Sequence, residues 1–555
     1  MIDAAYRARL VAGTLAEAGA VLDAVREGVP PALPHRATMH AVRVLVLADL
    51  VDGPDPARAA AATALVAHLE RSQGPTGLFD GDNLVSPPDS SFTLNDLCST
   101  LELLDTQGSA GPADVAGRLR DVAARSVEAL LAGGVHTPNH RWELSAALAG
   151  LYRLTGDNRL VTRIDEWLAE GVDIDADGFY SERSPNYAAY VSNPSLLTLA
   201  RLLDRPALLE PVRASLRSLV ALVDDDGEVV TVHSRRQDQR ETFRVHSFAG
   251  QLRRFAVTDD DGALARLAAL ACADPLLEAT RELADGLVDP PRLAPLPAAE
   301  PAADGLVVRP TIGLVRHRAG RAASTVFGGS DHARTRRIAS GLANSATLLQ
   351  HRRGAARLHA LRIAPAFFDT GAFRPDGLEV DGRTVLLTGT TVSGYYQPLP
   401  AARRRTDGAY RLTDEGRFFA QMDFPARERS DLRLTTSVAV HLRDDGATVD
   451  ITCEGPRTRL AVELALGPGD LTGAEPHPEL PGALWLREHP LTLRAGGDTL
   501  RVRASGQEGD LPPRYDDGEL FTYVHGEDRV PGQRVLVGGW TDRPLRLDIT
   551  TEGSA

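Results

Sequence analysis

The sequence predicts a two-part α+β chain: an N-terminal ring of helix hairpins, an α/α toroid, followed by a C-terminal antiparallel β-sandwich. Three observations predict it. Helical periodicity recurs about a dozen times within residues 1–286. Residues 287–304 (LVDPPRLAPLPAAEPAAD) then break the pattern as a Pro/Ala-rich linker. Over residues 305–555, short alternating apolar runs between Gly/Asp turns replace the helical period.

In the first part the helical patterns lie near residues 4–26, 36–51, 56–72, 93–106, 113–133, 140–154, 158–170, 194–204, 206–223, 246–256, 260–272 and 275–286. Leu144, Ala147, Leu148, Leu151 and Leu154 recur at helical spacing in one of them. Another opens at Pro206, repeats Leu209, Val212, Leu216 and Leu219, and closes in the turn Asp224 to Gly227. Short connections make neighbouring helices antiparallel pairs, and six or so pairs in one domain suit a toroid, although the same period suits a solenoid. In the second part, residues 434–442 and 448–453 flank the turn Asp444, Asp445, Gly446 as a hairpin would. Similar runs occupy 306–316, 323–328, 384–392, 498–504 and 534–539, and many short strands with little helix indicate a sandwich.

Composition excludes several function classes. The 555 residues carry a formal net charge of −14, against a general nucleic-acid binder. There is no lysine, so no Schiff-base lysine, phosphate-loop lysine or lysine base exists. Cys98, Cys272 and Cys453 are too few and too scattered for a disulfide framework or zinc motif and read as buried thiols. No window resembles a membrane span, and the first helix lacks the pattern of a secretory leader, so a cytoplasmic protein is expected. Arginine clusters at 235, 236 and 240, at 334, 336 and 337, at 352, 353 and 357, and at 403–405 are candidate anion sites.

Four polar islands interrupt the helical part. The third of them, GFYSERSPNYAAYVSN (178–193), sets Tyr180, Tyr187 and Tyr190 among Glu182, Arg183 and Asn186 in a chain with only 5% aromatic residues. The others are SPPDSSFTLNDL (86–97), with Asp89, Phe92 and Asn95; TPNHRWE (137–143), with Asn139, His140, Trp142 and Glu143; and VHSRRQDQRETF (232–243), with Arg235 and Arg236. Helix hairpins in a toroid bring their loops to one rim, so these islands are expected to share a cleft.

The ERSPNY of 182–187 resembles the ERSPxY signature of heparinase II/III-like polysaccharide lyases, and the Asn139–His140 pair is similar to the Asn-His start of a toroid helix in that superfamily. The resemblance implies a toroid, a sandwich and an active site in the cleft between them. It also implies a histidine-bearing segment early in the sandwich, which contributes a catalytic histidine and often metal ligands. The corresponding stretch, 328–354, offers Asp331, His332 and His351 without the paired spacing, so the sequence requires no cofactor and leaves a divalent metal unsupported. At least one polar side chain from 328–353 is nevertheless expected at the site.

On this reading the substrate is an anionic, uronate-containing polysaccharide or oligosaccharide. β-Elimination needs a neutralised carboxylate, a base for the α-proton and an acid for the leaving oxygen. Asn139, His140 and an arginine such as Arg183 or Arg236 would hold the carboxylate, Tyr187 would be base or acid, and His332 would take the second-histidine role. Asp89, Asn95, Trp142, Glu182, Tyr180, Tyr190, Arg235 and Arg236 would bind sugar. Two alternatives stay open: a glycoside hydrolase using carboxylates from among Asp89, Glu143 and Glu182, and a non-catalytic carbohydrate-binding relative.

Overall fold

A computed structural model describes residues 2–79, 85–107, 114–239, 241–330, 346–410, 422–515 and 530–553. Arg240, Asp331, His332, Arg334, Arg336 and Arg337 therefore lie outside the described residues. The chain forms two compact units, one from residues 1–229 and 243–302, the other from 230–242 and 303–555.

The first unit is a ring of helix pairs. Its outer helices are α1 (Ala4–Ala24), α3 (Pro56–Ser72), α5 (Val115–Ala132), α7 (Asn158–Leu168), α10 (Leu209–Ser218) and α12 (Gly262–Ala273); its inner helices are α2 (His35–Asp52), α4 (Pro87–Thr106), α6 (His140–Thr155), α9 (Asn193–Leu202), α11 (Ala249–Asp259) and α13 (Ala279–Val288). A single turn, α8 (Pro185–Tyr187), precedes α9. The inner helices run parallel. Arg36 and Arg43 of α2 pair with Asp89 and Asp96 of α4, seven residues apart on both sides. Asn95 and Asp105 of α4 likewise meet Glu143 and Arg153 of α6, ten apart on both. The ring closes where α13 packs on α1, α2 and α4. Gly150 permits the close approach of α4 and α6, since a Cβ there would meet Cys98 Cβ at 2.7 Å.

Two of the departures from the expected element boundaries have plain physical causes. α4 begins at Pro87 instead of residue 93, because Ser86 accepts from the Asp89 N–H (3.2 Å) and Pro87 occupies the first helical position, where its missing N–H costs nothing. The SPPDSSF island is thus two turns of helix. The Pro/Ala-rich stretch is also partly docked: Arg253 donates to the carbonyls of Arg292 (2.7 Å) and Ala294 (2.6 Å), and Leu293 is buried beside Tyr6 and Leu10.

Among the described residues the second unit is a β-sandwich of an eight-stranded and a nine-stranded sheet, and side chains of both form one apolar core that includes Val315, Leu361, Val438 and Val462. The expected hairpin is present as Arg429–Arg443 against Gly446–Glu454. Residues 306–316 form two strands, Gly305–Arg309 and Leu314–Ala319, around a turn at Pro310–Gly313. Among the described residues all neighbouring strands are antiparallel except Ala483–Trp485, which runs parallel to Gln533–Trp540. Among the described residues no helix is long and apolar enough to cross a membrane, and no group of three or more His, Cys, Asp or Glu side chains is placed to hold a metal ion.

Candidate active site

Parallel inner helices send all their N-termini to one end of the first unit. That end carries the partial positive charge of six helix starts. Three of the polar islands fall there, at the starts of α4, α6 and α9.

At the start of α6, Asn139 is 3% exposed; its Oδ1 accepts from Thr137 Oγ1 (2.7 Å), while among the described residues its Nδ2 has no hydrogen-bond partner. A buried amide donor left unmet costs on the order of 1–3 kcal/mol, which a ligand oxygen would recover. His140 follows, half-buried, its ring edge-on to Phe92 of α4 (6.4 Å) and to His136 (4.8 Å). Phe92 in turn lies under the Arg36 guanidinium (3.8 Å), and Arg36 is paired with Asp89. Burial raises the Asp89 carboxyl, but the His35 hydrogen bond and the Arg36 charge outweigh it and hold the group below the usual carboxylate range.

Asp173 ties the second island to the third. It accepts from Arg141 Nη2 (3.1 Å), from the Trp142 indole N–H (3.1 Å) and from the Ser181 hydroxyl. Beyond Ser181 the chain turns through Arg183, whose φ of 53° is left-handed and uncommon for a long side chain. Arg183 N–H donates to Tyr180 O (2.8 Å). Ser184 then caps α8 by accepting from Tyr187 N–H (3.2 Å), and residues Ala188–Ser192 form a π turn, a helix irregularity concentrated at functional sites. Glu182 is 8% exposed, and Tyr187 is half-buried.

Two residues expected to touch substrate are instead internal. Trp142 is fully enclosed, as its place on the apolar face of α6 dictates, and its indole N–H serves Asp173. Tyr180 is 7% exposed and donates to Asn193 Oδ1 (2.8 Å); burial pushes its phenol far above the usual range. Tyr190, by contrast, faces a cavity, with its hydroxyl on Ser247 Oγ (3.0 Å) and Glu278 Oε1 (3.2 Å) and Arg281 over its ring (4.7 Å). Arg235 and Arg236 lie in residues 230–242, which belong to the second unit. There Ser234 Oγ accepts from Arg236 N–H (3.1 Å) ahead of a short turn at Gln237–Gln239.

That cavity, of about 720 Å³, runs along the axis of the ring and is lined by all six inner helices. Asn95, Glu143 and Ser195 line its upper part as a triangle: Asn95 Nδ2 donates to Glu143 Oε1 (2.6 Å) and Ser195 Oγ to Glu143 Oε2 (3.1 Å). Sequence reading missed Arg36, Asp173 and Ser195 as site residues. The heptad spacing of Arg36/Arg43 and Asp89/Asp96 on otherwise apolar helices was a usable signal for the first; nothing local marks the other two.

Burial pushes the Glu143 carboxyl up to about 7, against the pull of its Asn95 and Ser195 hydrogen bonds. The folded state then holds a proton that the unfolded chain has released, so stability falls as pH rises from about 4.5 to about 7 and is level above that. Glu143→Gln keeps the shape without the ionisation. Its melting temperature relative to wild type should climb across this window, by the equivalent of about 3 kcal/mol. Parallel melting curves of both proteins from acid to mildly alkaline buffer check this; an offset constant with pH would show that Glu143 does not titrate there.

No family model matches the sequence, and no curated protein matches it. The fold does match solved structures. Heparinase III superimposes with a TM-score of 0.59 at 10% identity, over 94% of this chain and 77% of that one. A heparan sulfate lyase from Pedobacter heparinus superimposes with a TM-score of 0.51 at 13% identity, over 94% and 76%. A second heparinase III does so at 0.51 and 11%, over 94% and 78%. The chain is thus similar in fold to these proteins over 94% of its own length.

Proposed function

We propose that the chain is a polysaccharide lyase that cleaves a uronate-containing polysaccharide or oligosaccharide by β-elimination. One observation carries the reading: the buried Asn139 side chain, whose amide N–H has no partner among the described residues, beside His140 at the end of the ring where six helix N-termini gather. An uncharged donor, an imidazole and helix dipoles together suit a carboxylate whose charge must be neutralised for its α-proton to become acidic. Arg183, in the ERSPNY turn, adds a fork for the same carboxylate.

In this mechanism Asn139, His140 and Arg183 hold the uronate carboxylate and the enolate-like charge that follows. Tyr187 takes the α-proton or delivers one to the leaving glycosidic oxygen, the carbon–oxygen bond breaks, and a conjugated double bond remains on the new chain end. Glu182 and Asn95 bind the sugar ring at the same rim. The fold shared with heparinase III and with a heparan sulfate lyase supports the reading.

The test is incubation with a panel of uronate polymers, followed by near-ultraviolet absorbance of unsaturated products. A specific observation also favours a second reading: Glu143 and Asp89 have carboxyls displaced in opposite directions, the pattern of an acid and a base in glycoside hydrolases. Both Glu143 oxygens are already engaged by Asn95 and Ser195, which favours a supporting role. New reducing ends without the absorbance would decide for the hydrolase.

A further inference from the structure

The ERSPNY turn runs straight into the π turn Ala188–Ser192, and the sequence there leaves one carbonyl without a backbone donor. In an α-helical register Ala189 O would accept the Asn193 N–H. In the π turn that N–H donates to Ala188 O instead. The next donor along the chain would be the N–H of residue 194, which is proline and has none. Ala189 is fully enclosed, so water cannot serve its carbonyl and a side chain must.

Gln251 of α11 is that side chain. Its Nε2 donates to Ala189 O (2.7 Å), its Oε1 accepts from Asn193 Nδ2 (2.9 Å), and Asn193 Oδ1 accepts from the Tyr180 hydroxyl (2.8 Å). A carbonyl only accepts, so Ala189 O fixes which way the Gln251 amide points, and Gln251 in turn fixes Asn193. Tyr180, Asn193 and Gln251 are all buried. The chain of bonds thus grips the backbone on both sides of ERSPNY, at Tyr180 before it and at Ala189 and Asn193 after it. One helical turn ahead of Gln251, Ser247 Oγ meets the Tyr190 hydroxyl (3.0 Å), a second hold on the same π turn.

The register of this turn sets where Tyr187 points. Each residue of a helix advances about 100° around the axis. If Ala188–Ser192 relaxed to an α register, Tyr187 would swing by about one such step relative to α9, whereas a misplacement of about 1 Å already costs a reacting group about a hundredfold.

We infer that Gln251 is a positioning residue for Tyr187: by serving the Ala189 carbonyl it holds the π register, and the register aims the phenol. This rests on the lyase reading for what Tyr187 does, and on the hydrogen bonds alone for how Tyr187 is held. Gln251→Glu in the full-length protein is the first test, assayed well below the melting temperature. Protonated, the new carboxyl offers one donor and one acceptor and replaces the amide; ionised, it only accepts and has no proton for the Ala189 carbonyl. Burial keeps such a group protonated well above the usual ~4.3, which brings the change into an accessible pH range. On whichever uronate polymer the wild type degrades, kcat of the variant relative to wild type should fall by about tenfold or more between about pH 5 and about pH 9, with KM little changed. Taking the ratio removes the titrations common to both proteins. A glutamine of purely structural value would lower the melting temperature over this range and leave relative kcat level, and that result overturns the inference.

Gln251→Leu gives a second measurement that needs no substrate. Hydrogen exchange, followed by mass spectrometry, should be faster than in wild type in peptides covering residues 182–193, while α3 and α5 keep their protection. Exchange that is unchanged in residues 182–193, or faster to the same degree in α3 and α5, overturns the inference. If the wild type forms no unsaturated product from any uronate polymer, the lyase reading fails, and the exchange result alone decides whether Gln251 holds the turn.

Discussion

Replacing Tyr187 by Phe is expected to lower the rate of double-bond formation by about a hundred- to ten-thousand-fold, the usual contribution of a positioned acid or base. The fold should tolerate the change. Tyr187 is half-buried at the end of the single turn α8, and its backbone N–H donates to Ser184 Oγ, a bond that the Phe variant keeps. A ring of nearly the same volume remains in place. The measurement is paired: melting temperature, and initial rate of near-ultraviolet absorbance on whichever uronate polymer the wild type degrades. Substrate binding should survive, so the loss should fall on kcat more than on KM. The neighbouring tyrosines calibrate the result. Tyr180→Phe removes a buried hydrogen bond to Asn193 and should cost about 1 kcal/mol of stability with little effect on rate. An unchanged rate in Tyr187→Phe with a lowered melting temperature would return Tyr187 to a packing role and leave Tyr190, which faces the cavity, as the tyrosine to test next.

Much of the architecture was legible because it follows from periods. Repeated apolar spacing in residues 140–154 and 206–223 yields helices wherever each must bury one stripe, and hairpins of such helices close into the observed ring. The period failed at capped and kinked places. Two prolines concealed the start of α4, since the helical period shows only from residue 93 although Ser86 and Pro87 are a helix opening. In 306–316 an apolar run hid the turn Pro310–Gly313 that splits it into two strands. The site was legible only as a set of residue types. Which tyrosine is internal and which faces space depends on long-range partners such as Asn193 and Ser247, and no local pattern reports those. Trp142 shows the same limit. A tryptophan beside Asn139 and His140 in sequence looks like a sugar platform, but it lies two residues beyond His140 on α6, which turns it away from that ring and onto the enclosed face.

That assignment of Trp142 leads to the largest expected loss of stability. Trp142→Ala empties a fully buried indole site in the helical core and should cost about 3–5 kcal/mol. It also removes one of the donors that hold Asp173 between the start of α6 and Ser181, so the ERSPNY turn should loosen and activity should fall with stability. Trp142→Phe separates the two effects. It retains most of the packing and removes only the indole N–H, while Asp173 keeps the Arg141 guanidinium and the Ser181 hydroxyl. The expected outcome is a loss of about 1–2 kcal/mol with most of the rate intact. Melting temperature and KM, measured on both variants, distinguish this from direct contact with substrate. A core residue lowers the melting temperature in the order wild type, Phe, Ala and leaves KM of the Phe variant near wild type. A sugar-stacking residue would give the reverse: melting temperatures close together, and a KM that climbs as the aromatic surface shrinks, because ring-to-ring stacking is lost while the core is untouched. The complete enclosure of the indole and its bond to Asp173 favour the first pattern.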